Sequence, residues 1–151
     1  MALRFVAACL AAIILLPAHT CAAAERGALV LETASGSHEY SVEIAGTNAE
    51  RAKGLMFRRF LPKNSGMIFL YDKPQVIGMW MRNTYIPLDM VFIAADGTVH
   101  RVATHTEPFS TEIVSSEGAV TAVLELNAGE AERIELKPGD RVVFEGLGAA
   151  R

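Results

Sequence analysis

The chain has 151 residues, with 14 Lys and Arg against 17 Asp and Glu and a formal net charge of −3. That length suits one domain, and the mildly acidic balance excludes phosphate-backbone binding as the main task, so no nucleic-acid partner is expected. The only two cysteines, Cys9 and Cys21, lie close to the start.

Residues Met1 to Ala24 carry one charge, Arg4, ahead of an apolar run from Phe5 to Leu16, then Pro17 and small residues ending in Ala22-Ala23-Ala24. An apolar run of about 12 residues is too short to span a bilayer, so residues 1–24 read as a secretory signal peptide cleaved at its A-x-A site. The alternatives are an uncleaved anchor and a lipoprotein held through Cys21, although Ala18-His19-Thr20 lacks the Leu and small residue usual before a lipidated cysteine. Cleavage would leave residues 25–151 as a single globular domain with 13 basic and 17 acidic residues, net −4, and no thiol. The expectation is an exported protein, periplasmic or secreted, with no disulfide and no transmembrane segment after cleavage.

Ala28 to Thr33 and His38 to Ala45 have strand character, with Tyr40, Val42 and Ile44 alternating against Glu39, Ser41 and Glu43. Ser35-Gly36-Ser37 suits the turn between them, giving a hairpin with one wet face. Thr47-x-x-Glu50 is a capping box, and a helix is predicted from Asn48 to about Arg59. Its Ala52, Leu55, Met56 and Arg59 share a helical face, and Arg51 and Arg58 lie one heptad apart on a neighbouring stripe. Gly54 inside it costs about 1 kcal/mol relative to Ala, which points to close approach of another backbone.

Three strands are then expected, Gly66 to Tyr71, Val76 to Arg82 and Leu88 to Ala94. Asp96-Gly97 signals a hairpin into Thr98 to Thr104. His105 to Gly118 mixes Pro, Ser, Thr and Glu with little periodicity and reads as the longest loop. Ala119 to Leu126 resumes the alternation, Asn127 and Glu130 cap a short helix to about Arg133, and Pro138-Gly139-Asp140 leads into a last strand, Arg141 to Glu145. About eight strands and two short helices predict an α+β fold, mainly β: one barrel-like or strongly curved antiparallel or mixed sheet, with the first helix over one opening.

The stretch from Gly78 to Met90, GMWMRNTYIPLDM, holds the only Trp of the chain. Alternation sets Ile77, Met79 and Met81 toward the core and Val76, Gly78, Trp80 and Arg82 the other way. A Trp beside an Arg, with Gly78 leaving space, makes an amphipathic platform for a ligand or partner. The competing reading makes Trp80 a core anchor, with Arg82 covering it or pairing with Asp89. The candidate ligand-binding set is Arg51, Trp80, Arg82, Asn83, Thr84, Asp89 and Glu125.

Gly54-Leu55-Met56, Gly66-Met67 before Phe69, Trp80-Met81-Arg82-Asn83-Thr84, Ile86-Pro87-Leu88-Asp89, Gly97, Leu124-Glu125 and Gly139-Asp140, in this order and spacing, resemble the small bacterial and archaeal proteins of the domain of unknown function 192 family. The resemblance spans nearly all of residues 25–151, with Met79 standing where an aromatic residue is expected. It implies a compact, β-rich fold and no activity, so no catalytic residue is carried over.

The nucleophile-elbow, P-loop and dinucleotide-binding patterns are absent from the sequence. Met56, Met67, Met79, Met81 and Met90 with His100 and His105 supply soft ligands for Cu(I). Met79 and Met81 face the core, however, and the two histidines face opposite sides of an unbroken strand, so neither metal nor cofactor is expected. Asp89 and Glu125 are the paired carboxylates an envelope hydrolase would use as acid and base on carbohydrate or peptide. The favoured alternative pairs each with an arginine, Arg51, Arg58 or Arg82. The leading expectation is therefore a non-catalytic exported binding module for a polar or anionic small ligand or an envelope protein, with the hydrolase as the alternative.

Overall fold

The computed structural model describes residues 24–147. The expected signal peptide, apart from Ala24, lies outside them. The described residues form seven strands, β1 (Arg26–Thr33), β2 (Gly36–Ala45), β3 (Ser65–Met79), β4 (Leu88–Ile93), β5 (Val99–Thr106), β6 (Val114–Asn127) and β7 (Arg141–Phe144). Helix α1 (Asn48–Lys53) joins β2 to β3, and α2 (Glu130–Arg133) lies between β6 and β7. The strand order is β5-β4-β6-β3-β2-β1-β7, antiparallel throughout except for β2 beside β3. The α1 segment makes that one crossover. The sheet curls until its edges meet at one end, where Val99 N–H donates to the Asp140 carbonyl and Val142 N–H to the Gly97 carbonyl, both at 2.8 Å. The result is the mainly β, half-barrel architecture that the alternation predicts.

Each face of the sheet carries its own core. Leu31, Val42, Ile68, Val91, Leu124 and Leu126 pack with Ala131 and Ile134 from the α2 segment on one face. Leu55, Phe69, Met79, Met81, Met90 and Phe92 form the other, beside α1. Residue alternation along β4 divides the two sets, since Leu88, Met90 and Phe92 go one way and Val91 and Ile93 the other.

Several elements differ from expectation. The two strands foreseen at 66–71 and 76–82 are one strand, β3, which pairs with β6 on both sides of a register shift between Leu70 and Gln75 and ends at Met79, short of Trp80, Met81 and Arg82. An irregularity in the ladder re-aims side chains without ending the strand, so it mimics a break in the periodicity. Half of the expected loop 105–118 is also strand: β5 runs to Thr106 and β6 begins at Val114. Its residues are largely half-buried or exposed, so backbone pairing is not accompanied by an apolar alternation.

Helix α1 begins as predicted, with Glu50 N–H donating to Thr47 Oγ1 and Thr47 N–H to Glu50 Oε2. It stops at Lys53 because Gly54 takes φ 47°, ψ −136°. A Cβ at Gly54 would sit 3.1 Å from the Phe69 ring, so the glycine answers to a positive-φ turn and an aromatic neighbour, not to a second backbone. Helix α2 has Gly129, not Asn127, at its N-cap. The Asn127 amide instead donates to the carbonyls of Leu61 and Pro62 and ties their loop to the sheet.

Candidate functional site

The alternation at the end of β3 carries on past Met79 into Trp80 and Met81. Ile77, Met79 and Met81 are buried, whereas Val76 and Trp80 are 66% and 43% exposed, so Trp80 is not a core anchor. The Arg82 guanidinium lies 5.6 Å from the centroid of the Trp80 ring. Between this strand end and α1 opens a cleft of about 290 Å³, walled by Arg51, Lys53, Phe69, Tyr71 and Trp80, with Glu125 of β6 at the sheet surface.

The Asn83-Thr84 turn holds the loops beside this cleft. Asn83, at φ 55°, accepts from Phe57 N–H at 2.8 Å through its carbonyl, and the Thr84 carbonyl accepts from Phe109 N–H at 3.2 Å. Phe57 and Phe109 are both at φ 65° with rings largely in solvent. Bulky residues adopt that backbone only when the surroundings impose it. Thr84 itself is buried and lines the cleft.

Arg51 lines the cleft with much of its hydrogen-bonding capacity committed. Its Nη1 donates to the carbonyls of Gly46 and Leu70, both at 2.6 Å, its Nη2 to Asn48 Oδ1, and its guanidinium stacks 4.9 Å from the Tyr71 centroid. Burial raises the Tyr71 hydroxyl above its ordinary pKa, opposed by Arg51 and reinforced by Glu125.

The register resolves the two carboxylates. Asp89 is opposite Leu126 while Glu125 is opposite Met90, so the acids project from opposite faces of the sheet. Asp89 is fully buried and accepts from His105 N–H through Oδ1 and from Ala131 N–H through Oδ2, both at 2.9 Å. It fixes the end of β5 and the start of α2 and takes no part in the cleft. Arg82 therefore does not pair with it, and the acid–base couple imagined for a hydrolase is not assembled.

Glu125 is 4% exposed, and among the described residues no side chain or backbone group hydrogen-bonds or ion-pairs with its carboxyl. Burial alone pushes its pKa up to about 8. The arginine pairs expected for Asp89 and Glu125 thus do not form. Arg58 instead makes a two-pronged pair with Glu43, at 2.7 and 2.6 Å, and Arg26 adds a third bond at 2.8 Å. Sequence reasoning placed Glu43 on a wet face, but it is 5% exposed. It also passed over Phe69 and Tyr71, whose only signal was their even spacing on a strand that leads to the Trp80 end. Among the described residues no three His, Cys, Asp or Glu side chains gather as a metal site, and His105 Nδ1 lies 3.8 Å from Glu132.

The model of the DUF192 family, described as "Uncharacterized ACR", matches residues 29–144. The chain belongs to the DUF192 family. Two solved structures share its fold at substantial identity. One is a protein of Sinorhizobium meliloti 1021 described as a candidate transcription regulator, 42% identical, with a TM-score of 0.80, covering 82% of this chain and 97% of its own. The other is a protein of unknown function from Novosphingobium aromaticivorans DSM 12444, 41% identical, with a TM-score of 0.79, covering 83% of this chain and 89% of its own. No curated protein matches significantly. The DUF192 match spans both sheet cores and every residue of the cleft.

Proposed function

We propose that this DUF192 chain is an exported, non-catalytic binding module whose α1–β3 cleft takes a small polar ligand. The observation that carries this reading is the Glu125 carboxyl, enclosed at the sheet surface of the cleft without a protein partner. Binding sites are typically apolar concavities with a few placed polar groups, and the Phe69, Tyr71 and Trp80 walls around one acid fit that pattern. A cavity of about 290 Å³ holds roughly ten water-sized groups, which limits the ligand to a small molecule or one side chain. Export rests on the charge, apolar run and small-residue end of residues 1–24.

Catalysis is not part of the proposal, because Asp89 serves two backbone amides on the far face and leaves Glu125 without a second acid. The regulatory description of the S. meliloti relative is not extended to this chain, whose net charge of −3 offers no general attraction to nucleic acid.

A thermal-shift screen of neutral, anionic and cationic small molecules tests the site. A ligand should raise the melting temperature of the wild type and leave a Trp80→Ala/Arg82→Ala double variant unmoved, while that variant itself melts within about 5 °C of wild type. If the variant instead unfolds, the Trp80 cluster is scaffold and the reading fails.

A further inference from the structure

We propose that the cleft binds small organic monocations, ammonium groups in particular, with the Glu125 carboxylate as counter-ion and Phe69, Tyr71 and Trp80 as aromatic walls. This rests on the cleft being a ligand site and names the chemistry it selects.

Three acids among the described residues are buried, Glu43, Asp89 and Glu125. Glu43 has Arg58 and Arg26, and Asp89 has two backbone amides. Glu125 alone has nothing, although Gln or Met would fill the same place without an ionisable group. An enclosed carboxyl without a partner is disfavoured in its charged form and stays protonated until something supplies the missing charge. The elements packed around it do not. From α1, Arg51 is turned to the carbonyls of Gly46 and Leu70 and to Tyr71, and Lys53 lines the cleft without pairing with the acid. From β3 only the Tyr71 phenol titrates nearby, β4 presents Met90, and Arg82 lies over Trp80.

A ligand cation would complete the pair that the protein lacks beside three aromatic side chains, two of which, Tyr71 and Trp80, already hold a guanidinium against one face. A ligand anion could meet Lys53 in the lining, since Arg51 is committed to the carbonyls of Gly46 and Leu70, but it would leave the charge of Glu125 uncompensated and gain nothing from the rings. A neutral hydroxyl would gain one hydrogen bond and leave the charge uncompensated. Arg51 and Lys53 in the lining repel any positive charge, so only the one charge that Glu125 can neutralise is accommodated and it must sit at that carboxylate, which favours monocations.

Pairing requires Glu125 to give up its proton, so binding and ionisation are linked. Below the pKa of about 8, affinity should rise about tenfold per pH unit, and it should level off above that value. At pH 7 each bound cation should release close to one proton.

The experiment titrates the full mature protein with tetramethylammonium, whose charge does not change with pH. Its similarly sized controls are tert-butanol and pivalate, and Trp80 fluorescence is followed at pH 6, 7, 8 and 9. Tetramethylammonium should bind at least tenfold more tightly than either control at pH 9, with the stated pH dependence. Glu125→Gln should abolish that dependence and lower affinity to the level of tert-butanol. Calorimetry of the wild type in buffers of different ionisation enthalpy should show proton release, a readout that does not depend on the variant folding. Proton uptake, a pH-independent affinity, or a control binding as well as the cation would overturn the proposal. If a control binds with a Trp80 response and the cation does not, the cleft stands as a ligand site and the cation assignment falls. If none of the three probes perturbs Trp80 or the melting temperature, both fall.

Discussion

Glu43 and Glu125 occupy one row across the same face of the sheet. Glu43 is opposite Met67, and Met67 is opposite Glu125, so one strand separates them, about 10 Å of sheet. Their exposures, 5% and 4%, are indistinguishable. Their states are not. Bonds from Arg58, opposed by burial and helped by the charges of Arg58 and Arg26, hold Glu43 below its ordinary pKa of 4.5. Burial alone lifts Glu125 from the same 4.5 to about 8. Both are closed to solvent, but Glu125 lies deeper among protein atoms than Glu43, so depth and the presence or absence of an arginine together set the state of each carboxyl. The segment after α1 delivers Arg58 to one acid, whereas the other is left facing the cleft.

The two acids should tilt stability in opposite directions with pH. The contribution of Glu43 is present above its unfolded value of 4.5 and is lost as pH falls through its lower folded value. That of Glu125 is complete below 4.5 and is lost as pH rises through about 8.

The largest test of this contrast is Glu125→Gln. It should stabilise the protein at pH 9 by on the order of 4 kcal/mol, reduced by any relaxation around the charge, and leave it nearly unchanged at pH 4. Urea denaturation at both pH values measures the gap, and an equal gap at both would show that Glu125 titrates normally. Asp89→Ala comes next, at about 3 kcal/mol, because it leaves the amides of His105 and Ala131 without acceptors. Since Asp89 faces away from the cleft, ligand responses of Trp80 should survive in any molecules that remain folded. Arg58→Ala should cost about 2 kcal/mol, less than a fully buried pair, since Arg58 is a third exposed and Arg26 remains. It should also move Glu43 toward the condition of Glu125, visible as an upward shift of its carboxyl titration by NMR. The smallest effect is expected for Trp80→Ala, about 1 kcal/mol or less by denaturant melts, because its ring is nearly half exposed. A loss of several kcal/mol would make Trp80 a packing residue after all.

Much of the fold was legible in local pattern. The alternation through Tyr40, Val42 and Ile44, the capping box at Thr47 and Glu50 and the Asp96-Gly97 turn all act within a few residues, and each is where its chemistry predicts. The division of Met79 and Met81 from Trp80 and Arg82 was equally readable, because a strand can turn successive side chains only to opposite faces. The continuity of β3 was not, since its ladder irregularity and the polar stretch 72–75 imitate a loop. Nor was the strand character of residues 114–118, which is held by backbone pairing with little help from apolar spacing.

The candidate site was legible only in part. Trp80, Arg51, Thr84 and Glu125 do line one cleft, with Arg82 against Trp80 and Asn83 bracing the adjoining loop, while Asp89 belongs to the other face. Sequence by itself determined which residues share a face along each strand and where the short turns and the first helix begin, because those depend on side-chain period and local hydrogen bonds. Only the tertiary structure decided the partner of each buried acid. Arg58 reaches Glu43 across 15 positions and Ala131 reaches Asp89 across 42, through the register and curl of the sheet. A side-chain period states which face a carboxylate takes, and it carries no information about what the rest of the chain brings, or fails to bring, to that face.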